Sequence, residues 1–295
     1  MKNEGRILRT LLEAGRVLTG RKPAGRALTV FPDDTFIISY PRSGNTWTRF
    51  LVGNLVYQDA PVTFANVESR IPEIYLFPDR VLRGMPRARL LKSHECFDPR
   101  YRKVIYIVRD PRDVAVSYYH YAIKLRRIED GYEVEKFIRR FVTGEFDVQW
   151  SWAASWSDHV LSWVSMRQGS ENFLLLRYED MLESPEEELA KVAKFLGIDA
   201  SQERVVRAVQ LSSADTMRQL EKRQAENWAL TRNTRRDKPF IRGATAGRWR
   251  TELPPSSVGV IERAWGPTME RLGYKLSESG RENVAVAADV TTSDS

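Results

Sequence analysis

The segment Tyr40-Pro41-Arg42-Ser43-Gly44-Asn45-Thr46-Trp47 gathers residue types that can hold an anion. Gly44 lets the backbone approach a ligand closely. Ser43 and Thr46 offer hydroxyl donors, and Arg42 offers a forked cation. A loop that leaves a strand and enters a helix adds converging backbone N–H groups and the positive end of the helix dipole. The segment is not a Walker A motif, because no Gly-x4-Gly-Lys-Ser/Thr string occurs in the chain. Taken alone, it reads equally well as an ordinary strand–helix turn.

Two further segments carry charge at places where ligands bind. Arg109-Asp110-Pro111-Arg112-Asp113-Val114-Ala115-Val116-Ser117 follows the apolar run KVIYIV, which puts Arg109 at the carboxyl end of a strand and Ser117 on the helix after it. Phe240-Ile241-Arg242-Gly243-Ala244-Thr245-Ala246-Gly247-Arg248-Trp249 lies in an Arg-rich stretch. By itself Arg242 reads as a surface arginine in a basic loop. His94 ends the run Leu91-Lys92-Ser93-His94. An imidazole near its reference pKa of about 6.5 suits a general base at neutral pH. His120 reads as packing, and His159, in SWSDHVLSW, as a support of the fold.

These residues need elements to hold them. TFIIS (35–39), RLLKS (89–93), KVIYIV (103–108) and NFLLLR (172–177) are short β-rich runs, and helical patterns follow the first, third and fourth of them. After the last run comes YEDMLESPEEELAKVAKFLGI, with Ser184 as N-cap, Pro185 and Glu187 in the first turn and Gly197 as the stop. Alternation of this kind predicts an α/β fold: a three-layer sandwich around a mainly parallel sheet with a P-loop-like nucleotide-binding core. Residues 129–170 read as a helical, Trp-rich insertion beside the site, and residues 229–250 as a long functional loop. The expected organisation is a basic N-terminal extension over 1–34, a catalytic domain over 35–277 and a disordered tail over 278–295. Within the extension, residues 1–26 pattern as a basic amphipathic helix and a loose tail. That suits packing on the domain or peripheral contact with a membrane surface.

The formal net charge is +7. This admits a nucleic acid, an anionic surface or an anionic small ligand, and does not choose among them. The single cysteine, Cys96, excludes an internal disulfide framework and a multi-cysteine metal site and suits a reducing, cytoplasmic compartment. No apolar run reaches the length of a membrane-spanning helix, and the N-terminal residues lack a secretory apolar region.

In order, the motifs resemble those of the sulfotransferases that use 3′-phosphoadenosine-5′-phosphosulfate (PAPS) and release 3′,5′-bisphosphoadenosine (PAP). YPRSGNTW is similar to the YPKSGTTW loop of the cytosolic-type members, which binds the 5′-phosphosulfate. The resemblance gives Ser43, Gly44, Asn45 and Thr46 that site. It gives Arg42 the contacts of the family lysine to the sulfuryl and bridging oxygens, and Trp47 the stack on adenine. RDPRDVAVS is similar to RNxKDVAVSYY, which assigns the 3′-phosphate to Arg109 and Ser117, with Ser117 also tuning the cation of the loop. FIRGATAGRW is similar to FMRKGxxGDWK. That places Arg242, Gly243 and Ala244 on the same phosphate, with a family lysine lost at Gly243. KSH is similar to the family KTH, so His94 is implied as general base and Lys92 as a sulfuryl contact. Tyr178, equally readable as a core aromatic, matches an adenine-contacting tyrosine. Ser212 matches a threonine with that role, and Ala214 falls where the family has an aromatic. The resemblance spans about residues 35–275, and the C-terminal helix is similar to that of bacterial-type relatives.

What the resemblance implies is in-line transfer of a sulfuryl group from PAPS, without metal, to a hydroxyl or amine of a small-molecule, glycan or lipid acceptor, with no nucleic-acid partner. The acceptor pocket is expected from residues 60–90, 124–150 and 225–240. Two readings from other classes compete. A P-loop-type kinase needs a Walker A string and a Mg²⁺ carboxylate. A non-catalytic anion- or nucleic-acid-binding protein needs only the charge.

Overall fold

The computed structural model describes residues 22–145, 154–198 and 201–277. The expected amphipathic helix near the N-terminus and the polar tail over 278–295 lie outside the described residues.

Four strands form one sheet: β1 (Thr35–Ser39), β2 (Leu90–Ser93), β3 (Lys103–Val108) and β4 (Phe173–Arg177). Their spatial order is β2-β1-β3-β4, and every pairing is parallel. The expected runs match these strands to within one residue. All five residues of β1 are buried, which explains the apolar Phe36-Ile37-Ile38 at its centre.

Between β1 and β2 lie α1 (Asn45–Val56), α2 (Val67–Arg70) and α3 (Asp79–Arg83). After β3 come α4 (Pro111–Lys124), α5 (Val134–Val142) and α6 (Trp156–Arg167). After β4 come α7 (Tyr178–Glu183), α8 (Pro185–Leu196), α9 (Gln202–Leu211), α10 (Ala214–Gln224), α11 (Trp249–Glu252) and α12 (Pro255–Arg271). Ser184 is the backbone N-cap of α8, as expected, but its hydroxyl makes no capping bond. Gly197 closes that helix in the left-handed region, at φ 73°.

Alternation along the strands divides the core. Phe36 and Ile38 of β1, with Val104, Tyr106 and Val108 of β3, face a cluster that includes Val114, Phe137, Trp163 and Trp265. Ile37, Ile105 and Ile107 face the other way, onto Leu51, Val52 and Leu55 of α1 and Leu189 and Val192 of α8. Helices therefore cover both faces, and the three-layer sandwich is realised. The described end of the N-terminal segment joins the first cluster through Ala24 and Leu28.

Candidate active site

Each strand ends where a candidate residue begins. The Tyr40–Gly44 turn follows β1, His94 follows β2, Arg109 follows β3 and Tyr178 follows β4. Parallel strands put all four at one edge of the sheet, where open α/β folds bind ligands. A cavity of about 260 Å³ opens there.

Gly44 is the N-cap of α1, with φ 96°. A Cβ on it would lie 2.4 Å from Cδ2 of Tyr178, so the bare backbone is required by the tyrosine ring. Arg42 also has a positive φ, 69°, an uncommon state for a non-glycine residue. Its Nε donates to Ser117 Oγ at 3.2 Å. Its guanidinium carbon lies 4.3 Å from the Tyr121 ring centroid and 4.8 Å from that of Phe240. Burial pushes the Arg42 pKa down to about 10, helped by the nearby charges of Arg109 and Arg242. The side chain remains a cation at neutral pH.

Asn45 is buried and braces the helix start. Its Nδ2 donates to the Ile37 carbonyl at 3.3 Å and to Ser39 Oγ at 3.2 Å. Trp47 donates from Nε1 to the Ser212 carbonyl at 3.0 Å, and its ring meets Tyr178 edge-on at 5.6 Å.

Across the cavity, the Arg109 guanidinium lies 4.2 Å from the Tyr178 centroid. It donates to the carbonyls of Arg42 at 3.4 Å and Thr245 at 3.3 Å. Asp113 accepts from the backbone N–H groups of Gly247 at 2.6 Å and Trp249 at 3.0 Å, which pins the 240–249 loop to α4. Arg242 pairs with Glu252 at 3.0 Å, and Glu252 also holds Arg248 at 2.6 Å and His120 Nε2 at 2.7 Å.

On the remaining side, His94 Nδ1 lies 2.7 Å from the carbonyl oxygen of Ser39. A carbonyl only accepts, so Nδ1 carries the proton and Nε2 the lone pair. Burial and the charge of Lys92 hold the His94 pKa well below the usual 6.5. The His94 carbonyl accepts from His159 Nε2 at 3.0 Å, and His159 Nδ1 lies 2.8 Å from the Tyr106 hydroxyl. Lys92 Nζ is 2.6 Å from Glu73 Oε2, and both side chains are buried. Burial lowers the Lys92 pKa, and Glu73 opposes the shift.

The cavity wall includes Arg42, Gly44, Asn45, Thr46, Trp47, Lys92, His94, Arg109, Ser117, Tyr178, Arg242, Gly243 and Ala244. Two candidates are placed otherwise. Ser43 lies below the wall, fully buried, and its Oγ has no partner among the described residues. Ser212 is also fully buried, and its hydroxyl accepts from Asn54 Nδ2 at 3.0 Å. Its carbonyl, not its side chain, reaches Trp47. Ala214 lines the cavity instead. Among the described residues of the three stretches expected to form the acceptor pocket, only those of 225–240 contribute to this wall, through Leu230 and Phe240.

Sequence reasoning missed Tyr121, Asp113, Arg248 and Glu73 as parts of the site. Tyr121 was recoverable, because it lies one helical turn after Ser117 on the same face. Glu73 had no such signal, since it comes from a different segment than Lys92, beside which an isolated backbone bridge and a side-chain ion pair hold it.

The donor set suits a polyanion. Arg42, Arg109, Arg242 and Arg248 converge on one cavity that Asp113 also lines. Arg109 Nε, like Ser43 Oγ, is a buried donor without a partner among the described residues. Among those residues no three His, Cys, Asp or Glu side chains gather as a metal site, and no helix is long and apolar enough to cross a membrane.

The sulfotransferase domain family matches residues 32–273 of this chain. The chain is 30% identical over 266 residues to sulfotransferase 1A1 of Bos taurus, covering 83% of this chain and 86% of that one. To sulfotransferase 1E1 of Rattus norvegicus it is 28% identical over 242 residues, covering 76% and 79%. Among solved structures, mouse sulfotransferase SULT7A1 complexed with PAP superposes with a TM-score of 0.67 at 25% identity, over 90% of this chain and 92% of that one. Retinol dehydratase in a complex with retinol and PAP shares the fold at a TM-score of 0.70 and 23% identity, over 83% and 84%. The chain belongs to the sulfotransferase family.

Proposed function

We propose that this sulfotransferase moves the sulfuryl group of PAPS to a hydroxyl or amine of a small-molecule acceptor, with His94 as general base. The observation that carries the proposal is the Nδ1–Ser39 carbonyl contact, which leaves the His94 lone pair on Nε2 in an imidazole kept neutral by burial.

Nε2 takes the acceptor proton as the acceptor oxygen or nitrogen bonds to sulfur. The bond from sulfur to the 5′-phosphate oxygen breaks, and PAP departs with that electron pair. Arg42, Lys92 and the amides of the turn after β1 stabilise the charge that moves onto the leaving oxygens. Arg109, Ser117 and Arg242 hold the 3′-phosphate, and Trp47 and Tyr178 hold the adenine. Ser43 contributes its buried hydroxyl and backbone to the loop. Ser212 acts through the carbonyl that fixes Trp47.

Support for a PAP-like ligand comes from four arginines facing one cavity. It also comes from the PAP named in the structure of mouse SULT7A1. The reading includes a cytoplasmic setting, no nucleic-acid partner, a catalytic domain over 35–277 and a surface-binding role for residues 1–26. The test is transfer of radiolabel from PAPS, in chelator, to a panel of phenol, steroid, sugar and lipid acceptors. Label transfer that also disappears in His94→Ala supports the proposal. A panel without transfer, together with no PAP binding by calorimetry, overturns it.

A further inference from the structure

The loop that carries Arg242 has lost one cation, because glycine stands at 243 where the resembling segment has lysine. The structure fills that place from elsewhere. A Cβ built on Gly243 would lie 3.0 Å from Nη1 of Arg248 and 3.8 Å from its Cζ. The guanidinium of Arg248 therefore occupies the volume a side chain at 243 would enter.

Arg248 is held in that position by independent contacts. Its flanking residues, Gly247 and Trp249, both donate backbone N–H groups to the buried carboxylate of Asp113. Its Nε bonds Glu252, the same carboxylate that holds Arg242. Arg248 also lines the cavity beside Arg109, Arg242 and Thr245. Two guanidiniums that share one carboxylate remain net positive together, and that favours a further anion at the same spot.

We propose that Arg248 is a third guanidinium of the 3′-phosphate subsite and supplies the charge missing at Gly243. Glu252 is the counter-ion that keeps Arg242 and Arg248 side by side before the phosphate arrives. The proposal rests on the reading of this cavity as a PAPS site and deepens it.

The experiment is calorimetric binding of PAP and of 5′-AMP, which lacks the 3′-phosphate, in chelator. Wild type is expected to favour PAP strongly. Equal affinities there overturn the PAPS reading itself, separately from the role of Arg248. Arg248→Ala is expected to weaken PAP by roughly 10–100-fold while leaving 5′-AMP unchanged, the scale of a hydrogen bond to a charged group. Arg248→Gln keeps the length and polar head of the side chain, and is expected to lose PAP in the same way if Arg248→Ala folds poorly. Gly243→Lys in the Arg248→Ala background is relieved of the Arg248 contacts, leaving only Thr245 Oγ1 at 3.1 Å to give way, and should recover much of the lost PAP affinity. An unchanged PAP preference in both Arg248 variants overturns the proposal. So does an equal loss for the two nucleotides, which marks a structural role only.

Discussion

Arg42 Nε donates to Ser117 Oγ at 3.2 Å, and this contact joins the turn after β1 to α4 across 75 residues of sequence. Two elements that the proposed site sets at opposite ends of a bisphosphorylated nucleotide are thereby coupled through one hydroxyl. Ser117→Ala removes that hydroxyl and leaves a good helix former in α4. We expect PAP affinity to fall about tenfold, the scale of one hydrogen bond to a charged group, with little change in melting temperature. Calorimetry beside a thermal melt checks this, and unchanged affinity removes Ser117 from the binding set.

A solvated arginine stays charged up to about pH 12. The buried setting changes the expectation, because it pushes the group down to about 10. A polyanion in the cavity acts in the opposite direction and restores the charge. At saturating PAPS we therefore expect wild-type turnover to hold up to about pH 10 as far as this residue is concerned. Arg42→Lys, subject to the same burial from a lower reference value, should keep part of the turnover but lose it at lower pH. Arg42→Ala should abolish it. Superimposed pH profiles for wild type and Arg42→Lys leave the charge argument without support.

His94 and His159 are both buried and neutral. The His159 pKa is pushed down to about 4 by burial, and that of His94 lies well below 6.5. Below about pH 6.5 the unfolded chain takes up protons that the folded chain excludes. The stability these two residues confer is thus whole above pH 6.5 and is lost as pH falls through their folded values, by on the order of 3 kcal/mol for His159 alone. Ring-proton chemical shifts of both residues should stay flat from pH 8 to 5.5, while denaturation midpoints should already fall as the pH drops below about 6.5. A His94 signal that titrates near pH 6.5 contradicts its desolvated position.

Much of this was legible in the sequence, for reasons that can be stated. β1 and β3 are short apolar runs buried on both faces, and such runs stand out from their surroundings. His94, Arg109 and Tyr178 sit immediately beyond strand ends and Arg42 lies in the turn after β1, so placing a strand also placed a candidate residue. The contacts that tune those residues were not legible, because they are made between distant segments. Glu73 reaches Lys92 from another segment, Ser39 accepts from His94 through a backbone carbonyl, and Asn54 takes the hydroxyl assigned to adenine at Ser212. Backbone acceptors carry no signature in residue type, and an arginine such as Arg248 resembles its many neighbours until a glycine is seen beneath it.

The Lys92–Glu73 pair makes the last prediction. Nζ and Oε2 are 2.6 Å apart with both side chains buried, next to the residue we assign as base. Removing the negative partner leaves a desolvated ammonium, which typically costs about 3–5 kcal/mol when nothing compensates it. Burial already lowers the Lys92 pKa, and Glu73 works against that shift. In Glu73→Gln most of that opposition is gone, with only the more distant charge of Glu68 left, so the pKa should fall further and part of the stability loss should be avoided by release of the proton. Two readouts then move together. Stability at neutral pH falls, and the basic limb of turnover shifts to lower pH, because a neutral Lys92 cannot stabilise the sulfuryl oxygens. Lys92→Met tests the pair from the other side. It should lose turnover at every pH and should have no basic limb of its own below that of Arg42. A Glu73→Gln variant with an unshifted basic limb shows that Lys92 does not set it, and assigns the charge at the sulfuryl group to Arg42 alone.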